Sequence, residues 1–454
     1  MRLHEPFIRW TGALLLLCPY IGAFQYPSKL DVSGSLVVEQ LLKLATFSDV
    51  PNPAVTRIVF TPNDMKARAY VKDLMQLAGL TLREDAVGNI FGLLAGDGSA
   101  EGLVQTGSHT DAIPLAGAYD GTLGVIGGIA ALRALSAAGF RPRRGIEVIM
   151  FTSEEPTRFS LSCLGSRAMA GVLSAETLAR RLDENGTDFL TAATAAGYGR
   201  GSTQAMLDAA RVKPGSVSSF VELHIEQGPE LEANGTSLGI VTAIAAPAAL
   251  RVRFSGDGGH AGAQLMPRRN DAGLAAAELA LAVEAAALGT GAPDTVATAG
   301  RVDLAPNTVN SVPREAAVEI DLRDVDESRR DAVLAQILAA AEEIAARRRV
   351  RLQTEVANRD APATCAAEVV AAATAAAEQL GASHARLVSR AYHDALFMAQ
   401  IAPTGMIFIP CRGGWSHRPD EFASPAHVEL GVKALALTLA RLAGAAGNPG
   451  KAEL

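Results

Sequence analysis

The sequence predicts an α/β protein with two parts: a large domain on a mainly parallel sheet with helices on both faces, and a smaller α+β domain inserted into it. Three observations support this prediction. Strand-like and helix-like apolar segments alternate along most of the 454 residues. Hydrophobic residues make up 49% of the chain, which allows a sizeable core. Between residues 247 and 360 the order changes to β-α-β-β-α-β, which is typical of a ferredoxin-like domain.

The N-terminus differs from the rest of the chain. Arg2 and Arg9 precede the apolar segment TGALLLLCPYIGAF, which ends in small residues. This order is typical of a secretory signal, and the segment is short for a transmembrane helix. We therefore expect a signal-like leader over residues 1–24, the alternative being a buried or organelle-targeting helix. No later segment has the pattern of a membrane span, so no stable span is expected.

The first part of the large domain is expected over residues 35–246. LVQTGSH is a short strand, and GTLGVIGGIAALRALSAAG is a helix of small residues that can pack closely on a sheet. RGIEVIMFTSEE and SSFVELHIEQG are buried strands that run into acidic residues. Because ligands bind beyond the carboxyl ends of parallel strands, the polar motifs at these ends are candidates for a binding site.

The inserted domain is expected over residues 247–360. Its strands are LRVRFSG, TVATAGRVDL, EAAVEIDLRD and VRLQTEV, and its helices are DAGLAAAELALAVEAA and SRRDAVLAQILAAAEEIAA. The second part of the large domain follows over residues 361–446. It contains a helix from Ala366, the strands ARLVSR and GMIFIP, and a last helix after Pro425.

Charge and cysteine usage exclude some classes of protein. The formal net charge is −7 without a basic patch, which argues against a nucleic-acid partner. The chain has only four cysteines, and no two of them form a CxxC pair. Neither a disulfide framework nor a structural zinc knuckle is therefore indicated.

Four histidines stand in glycine-rich or acidic motifs and indicate a metal site. They are His109, His224, His260 and His417. Imidazole and carboxylate together suit a divalent transition metal, and five such ligands with one shared carboxylate can hold two ions about 3.5–4 Å apart. His384 and His427 are expected at the surface.

Taken together, six motifs resemble those of the M20 metallopeptidase-like amidohydrolases. They are TGSHTDAIPLAGAYDG, FTSEEPTRF, ELHIEQGP, GGHAGAQLMPRRNDAG, NSVPREAAVEIDLRD and GGWSHRPDEF, and the resemblance covers about residues 34–442. It implies two divalent metal ions per subunit, with manganese the expected metal and zinc or cobalt also compatible with these ligand types. It also implies a homodimer formed through the inserted lid domain, and a location in the endoplasmic reticulum.

The resemblance further implies roles for individual residues. The metal ligands would be His109, Asp120, Glu155, His224 and His417, with Asp120 bridging the two ions. The catalytic residues would be Glu154 as general base, Asp111 as the residue that orients His109, and His260 as oxyanion donor. The substrate-binding residues would be Gln227, His260, Asn310, Arg323, Tyr392 and His393. The family also leads us to expect a cis peptide after Asp120.

Reasoning from spacing alone leaves alternatives for three of these residues. Arg323 would pair with Asp321 or Asp324 on its own strand, and Tyr392 and His393 could be a helix cap or a packing pair. A ferredoxin-like lid that carries His260, Asn310 and Arg323 would have to approach the metal ligands, or would supply these groups to a partner subunit.

Within the family, the chain resembles the branch that hydrolyses ureido compounds. The segments SEEPTRFSLSCLGSR, VTAIAAPAAL, SRAYHDALFMA and MIFIPCRGGWSHRPDEFASP favour ureidoglycolate as the substrate, broken down to glyoxylate, ammonia and carbon dioxide in purine catabolism. The alternatives are allantoate or an N-carbamoyl-L-amino acid as substrate, a peptidase or aminoacylase, and a non-catalytic binding protein on the same fold. Loss of Glu154 or of a metal ligand would favour the last of these, and all six residues are present.

Overall fold

The computed structural model describes residues 26–27 and 29–446. The leader expected over residues 1–24 lies outside the described residues. Within the described ranges, no helix has both the length and the apolar character needed to cross a membrane.

The described chain forms helices and strands in alternation over most of its length. The helices are α1 Gly34–Ala45, α2 Pro62–Leu77, α3 Thr122–Ala137, α4 Leu164–Ala170, α5 Ala175–Ala179, α6 Phe189–Ala195, α7 Thr203–Ala210, α8 Glu230–Ala233, α9 Ala272–Leu288, α10 Glu327–Arg348, α11 Ala367–Gln379, α12 Ala395–Met398 and α13 Pro425–Ala443. The strands are β1 Val55–Arg57, β2 Thr81–Glu84, β3 Ile90–Leu94, β4 Leu103–His109, β5 Ala112–Ala116, β6 Ile146–Phe151, β7 Val217–Ile225, β8 Leu238–Ile244, β9 Ala246–Ser255, β10 Gly259–His260, β11 Val296–Ala305, β12 Ser311–Val312, β13 Glu315–Asp324, β14 Arg351–Arg359, β15 Ala363–Thr364, β16 His384–Ser389 and β17 Thr404–Ile409.

Several helices begin where a short polar side chain caps the first turn. The side chains of Ser33, Thr61, Asp271, Asp326 and Ser424 each accept a hydrogen bond from a backbone N–H three residues further on. These bonds satisfy amide groups that have no partner within the helix. The caps therefore fix the helix starts that the hydrophobic pattern alone leaves uncertain.

A nine-stranded sheet forms the large domain. Its order is β15-β8-β17-β7-β4-β6-β3-β2, and β16 also pairs with β8. The four central strands β17, β7, β4 and β6 run parallel, and antiparallel pairs lie towards both edges. This confirms the predicted α/β class. It also brings the carboxyl ends of the four central strands to one edge of the sheet, where ligands are expected.

Helices cover both faces of this sheet, as predicted. Ile407 and Ile409 of β17 pack in the core with α3 and α13, whereas Met406 and Phe408 of the same strand pack in a second core with α12. Alternate residues of a strand point to opposite faces, so these two cores lie on the two sides of the sheet. The small residues of α3 allow its close approach, because a Cβ on Gly124 would lie 2.6 Å from the Leu223 carbonyl oxygen.

A separate four-stranded sheet forms the inserted part. Its order is β11-β13-β9-β14 with every pair antiparallel, and α9 and α10 pack against it. The element order β9-α9-β11-β13-α10-β14 is the predicted β-α-β-β-α-β arrangement of a ferredoxin-like domain. Its core includes Phe254, Leu279, Val318 and Ile337 and is distinct from the cores of the large domain. The domain limits themselves stay a prediction.

Candidate active site

The five predicted metal ligands lie together at the carboxyl edge of the central strands. His109 ends β4, His224 lies near the end of β7, Glu155 follows β6, His417 follows β17, and Asp120 precedes α3. The possible ligand atoms of these five residues form two groups, each within 4.8 Å. One group is His109, Asp120 and His224, and the other is Asp120, Glu155 and His417. Asp120 belongs to both.

The two carboxylate oxygens of Asp120 face different groups. Oδ1 lies 3.2 Å from His224 Nε2 and 3.7 Å from His109 Nε2. Oδ2 lies 3.2 Å from His417 Nε2, and that nitrogen is 3.4 Å from Glu155 Oε1. With its oxygens divided in this way, one carboxylate would offer a ligand atom to each of two cations.

Backbone carbonyls orient the two buried imidazoles. His109 Nδ1 lies 2.9 Å from the carbonyl oxygen of Asp111, and His224 Nδ1 lies 2.8 Å from that of Ile225. A carbonyl oxygen only accepts, so each Nδ1 carries the proton of the hydrogen bond. In both residues Nε2 therefore faces Asp120 and is the atom available as a ligand.

The charges of the site suit a bound cation. Burial alone would raise the pKa of Asp120, but the close approach of His109, His224 and His417 brings this pKa well below its usual range. The pKa of His417 rises to about 10, chiefly because its ring contacts the carboxylate of Asp120, and to a smaller extent because it contacts that of Glu155. The carboxylates of Asp120 and Glu155 therefore stabilise positive charge at the site. Since the ligand atoms are imidazole nitrogen and carboxylate oxygen, the residues fit divalent zinc, manganese or cobalt.

Glu154 lies beside the two ligand groups, on the pocket wall. Its Oε2 lies 3.7 Å from His109 Nε2, and its Oε1 accepts a hydrogen bond from Cys163 Sγ at 3.3 Å. Burial raises the pKa of Glu154 well above its ordinary value, and the negative charge of Glu155 adds to the rise, although His109 opposes it. A carboxyl group with a raised pKa is suited to accept and return a proton near neutral pH.

Asp111 positions more of the site than the sequence predicted. It orients His109 mainly through its backbone carbonyl, since its carboxylate Oδ1 lies 3.7 Å from His109 Nδ1. The two carboxylate oxygens instead accept hydrogen bonds from the backbone N–H groups of Glu154 at 3.2 Å and Glu155 at 3.0 Å. One residue therefore fixes a ligand imidazole, the candidate base and a ligand carboxylate.

The turn after Asp120 differs from the expectation of a cis peptide. The cis bonds of the described residues are Asn52–Pro53 and Ala305–Pro306, so the expectation for Asp120–Gly121 is wrong in this structure. The chain instead reverses at Gly121 with φ of 66° and ψ of −47°. The Gly121 N–H then donates to His224 Nε2 at 3.0 Å. A metal ion on that nitrogen would have to displace this hydrogen bond.

A pocket of about 410 Å³ opens between the two sheets beside these ligands. From the large domain it is lined by His109, Asp120, Glu154, Glu155, Arg181, Gln227, Tyr392 and His417 among others, and from the lid by Pro247, Ala249, Asp321, Arg323, Ala357 and Asn358. Gln227 also donates to Asp120 Oδ2 at 2.7 Å. Of the predicted substrate-binding residues, Gln227, Arg323 and Tyr392 thus reach the pocket.

Arg323 both lines the pocket and pairs within its own strand. Its Nε and Nη2 donate to the two carboxylate oxygens of Asp321 at 2.8 Å and 3.0 Å, and its Nη1 donates to the carbonyl oxygen of Arg390 at 3.1 Å. This ion pair is the arrangement that spacing alone favoured. To clamp a substrate carboxylate bidentately, the guanidinium would have to exchange Asp321 for the substrate.

Three predicted residues do not line the pocket. His260 and Asn310 are exposed neighbours in the lid, where Ala261 N–H donates to the Asn310 carbonyl oxygen at 2.8 Å. Neither reaches the metal ligands of its own chain. His393 is buried behind His224, with 4.7 Å between the ring centroids, and its Nε2 lies 2.8 Å from Ser389 Oγ. In this structure, burial separates His393 from the pocket.

Glu421 supports the bridging carboxylate and was missed by reasoning from sequence. Its Oε1 accepts from the backbone N–H groups of Tyr119 at 2.7 Å and Asp120 at 3.0 Å. Ser416 Oγ lies 2.6 Å from Asp120 Oδ2 and 2.9 Å from Glu421 Oε2. Burial, followed by the charge of Asp120, raises the pKa of Glu421 to about 7. The available signal was its place in the motif SHRPDE, four residues after His417.

Backbone strain is concentrated around the site. Ser153, Cys163, Gln227 and His417 are non-glycine residues with φ of 56°, 58°, 57° and 59°. Each such residue costs of order 1–3 kcal/mol and persists only where its surroundings enforce it. Three of them are, or directly precede, residues of the predicted site. The strain therefore lies where side chains must be aimed at the pocket.

Comparison with known proteins relates this site to a family of hydrolases. The profile of Peptidase family M20/M25/M40 matches residues 106–441. Ureidoglycolate hydrolase of Oryza sativa subsp. japonica is 53% identical over 421 residues, which are 92% of this chain and 86% of that protein. Ureidoglycolate hydrolase of Arabidopsis thaliana is 51% identical over 424 residues, 93% of this chain and 89% of that protein. Crystal structures of AtUAH in complex with (S)-hydroxyglycine and with glyoxylate have a TM-score of 0.85 and 51% identity to this chain, and the match covers 92% of this chain and 99% of that one.

Proposed function

Since the chain belongs to peptidase family M20/M25/M40, we propose that it is an amidohydrolase that splits the ureido group of (S)-ureidoglycolate in purine catabolism. The observation that carries the proposal is the identity of 51% and 53% to two ureidoglycolate hydrolases, over more than nine-tenths of this chain. The pocket beside His109, Glu154 and Glu155 supports hydrolysis, because it places a candidate base next to two groups of metal ligands.

The proposed chemistry follows from the bonding of the ureido group. Its carbon is a poor electrophile because two nitrogens donate electrons into it. Divalent cations, when bound, would polarise the carbonyl and acidify a water molecule. Glu154 takes a proton from the attacking water and passes it to the leaving nitrogen. Carbamate then yields carbon dioxide and ammonia, and hydroxyglycine collapses to glyoxylate and a second ammonia. The AtUAH crystal structures contain (S)-hydroxyglycine and glyoxylate.

The cofactor we propose is a pair of divalent metal ions per subunit, with manganese as the first choice. His109, Asp120 and His224 would hold one ion, and Asp120, Glu155 and His417 the other. The division of the Asp120 oxygens between the two groups supports two ions rather than one. The preference for manganese comes from the family resemblance, and zinc or cobalt would fit the same ligand types.

We further propose that the lid forms a homodimer. β11 lies at the edge of the lid sheet with one strand neighbour. On the adjacent helix α9, Leu274, Leu281 and Leu288 are 44%, 67% and 74% exposed at a spacing of seven residues. That spacing places them on one helix face, and an unpaired edge beside an apolar face is suited to a second copy of the chain. In such a dimer, His260 and Asn310 would lie near the pocket of the partner subunit.

Mixing inactive variants would test this shared site. His260→Ala and Glu154→Gln are each expected to be inactive alone. If the lid serves the partner's pocket, mixed dimers contain one intact site and regain a fraction of the activity. If each lid serves its own chain, both sites of a mixed dimer are damaged. Absence of recovery after verified subunit exchange would exclude the shared site for His260.

The signal-like segment at residues 1–24 supports a location in the endoplasmic reticulum or the secretory route. A fluorescent protein fused after these residues should enter that route. A fusion that stays in the cytosol would contradict the proposal.

The substrate is tested by product analysis. Manganese-loaded protein is offered ureidoglycolate, allantoate and N-carbamoyl-L-amino acids in parallel, and ammonia and glyoxylate are quantified, with Glu154→Gln as the matched control. Ureidoglycolate should be turned over fastest. Faster turnover of another compound would assign that substrate instead, and turnover of none would favour a binding protein.

A further inference from the structure

A buried ion pair connects the large domain, the lid connection and the pocket wall. Arg167 lies on α4 of the large domain, and Asp360 directly follows β14 of the lid. Arg167 Nη1 and Nη2 donate to the two carboxylate oxygens of Asp360 at 3.0 Å and 2.6 Å. Arg167 Nη2 also donates to the hydroxyl oxygen of Tyr392 at 2.6 Å. That hydroxyl in turn donates to Asp360.

The surroundings of this pair make it rigid. The side chains of Arg167 and Asp360 are 8% and 14% exposed. The guanidinium lies 4.2 Å above the ring of Phe397, and its Nε donates to the carbonyl oxygen of the pocket residue Ser162 at 2.9 Å. Bidentate pairs of this kind are specific in geometry, and burial makes the loss of either partner costly.

Asp360 also joins the two chain segments that connect the lid to the large domain. Its backbone N–H donates to the carbonyl oxygen of Pro247 at 3.3 Å, in the strand that enters the lid. Its carbonyl oxygen accepts from Arg330, a buried residue of lid helix α10. One residue thus contacts the entering strand, a lid helix and, through Arg167, the large domain.

Tyr392 carries this arrangement to the pocket. It lines the pocket beside the candidate base. Its hydroxyl accepts from Arg167 and donates its one proton to Asp360, so that proton is not available to a substrate. The position of this wall residue is therefore set by the ion pair.

We propose that Arg167 and Asp360 are positioning residues: they form a clasp that fixes the lid against the large domain and holds Tyr392 on the pocket wall. The proposal rests on the proposed function for its kinetic consequence. By holding the Tyr392 hydroxyl, the clasp supports kcat/KM. Through the contacts of Asp360, it also stabilises the two chain segments that connect the lid to the large domain.

A double-mutant cycle on the metal-loaded full chain tests the kinetic part. The variants are Asp360→Asn, Tyr392→Phe and the double variant, assayed with ureidoglycolate. Each single change should lower kcat/KM by about 10- to 100-fold, the range for a lost hydrogen bond to a charged group. Because both act through one contact, the double variant should lose at most about twofold more than the worse single variant. Multiplicative losses would overturn the proposal.

The matched control is Glu147→Gln. Glu147 is also buried and bidentate, accepting from Arg83 Nε at 3.0 Å and Nη2 at 2.9 Å, but it lies near the start of β6, at the end opposite Glu154. The substitution Glu147→Gln should leave kcat/KM within about twofold of the wild-type value, because Glu147 contacts no residue that lines the pocket. If Asp360→Asn does not fold, Arg167→Lys replaces it in the cycle, since lysine keeps the charge but loses the bidentate geometry.

Hydrogen–deuterium exchange tests the clasp independently of turnover. Asp360→Asn should accelerate exchange in residues 245–249 and 356–361, and Glu147→Gln should not. Unchanged exchange in both segments would overturn the clasp. If the wild type does not turn over ureidoglycolate, the proposed function fails, and the exchange result still decides whether the clasp exists.

Discussion

The turn at Gly121 determines whether the imidazole of His109 can act as a ligand. The substitution Gly121→Ala, which adds a single methyl group, tests this. A Cβ on residue 121 would lie 2.2 Å from His109 Nε2 and 2.4 Å from His109 Cδ2. The ring is buried and its Nδ1 is bonded to the Asp111 carbonyl oxygen, so it has little room to retreat. Gly121→Ala should therefore displace the nitrogen that faces Asp120.

The magnitude follows from two contributions. The backbone at φ of 66° and ψ of −47° is unfavourable for alanine, and such strain costs of order 1–3 kcal/mol. Overpacking against a buried side chain costs about 1–3 kcal/mol more. If the strain is expressed as lost metal affinity, about 2–6 kcal/mol corresponds to a weakening of roughly 30-fold to 10⁴-fold.

The assay is calorimetric titration of metal-free protein with manganese. Gly139→Ala is the matched control, because Gly139 has φ of +72° at the other end of α3 but no atom within 4 Å of an added Cβ. The control should retain wild-type affinity with a small loss of stability. Manganese affinity of Gly121→Ala within about threefold of that of Gly139→Ala would refute the reasoning, since it would show that the contact with His109 does not matter.

Three further outcomes are expected. Glu154→Gln should keep both ions but lose turnover by about 10²- to 10⁴-fold, and near-normal turnover with both ions bound would place the base elsewhere. Chelation should abolish activity and manganese should restore it, whereas undiminished turnover of metal-free protein would exclude the two-metal mechanism. In metal-free protein, His417 has a folded pKa of about 10 against an ordinary 6.5, so its contacts with Asp120 and Glu155 stabilise the fold below about pH 6.5 and are lost as the pH rises through about 10. The melting temperature of the wild type should therefore exceed that of His417→Asn at about pH 6, and the excess should be smaller at about pH 10. The same difference in melting temperature at both pH values would contradict the raised pKa of His417.

The residues missed by reasoning from sequence are those whose role depends on distant partners. Glu421 contacts the Asp120 backbone across 301 residues, and Arg167 contacts Asp360 across 193. The motif SHRPDE places Glu421 close to His417 in sequence, but its residue type in a charged loop does not distinguish such a contact from exposure to solvent. The left-handed backbone at Ser153, likewise, follows from its surroundings rather than from its residue type.

The sequence by itself determined the fold class, the order of elements in both domains and the set of residues at the strand ends. Hydrophobic periodicity and turn residues are local, so strands such as β4 and β6 and the order β-α-β-β-α-β can be recognised before any contact is known. Only the tertiary structure decided which side chains meet. It divided the oxygens of Asp120 between two groups, buried His393 behind His224 and left His260 outside its own pocket. Such contacts depend on angstrom-scale packing between segments far apart in the chain, and hydrophobic periodicity carries no information about distances of that kind.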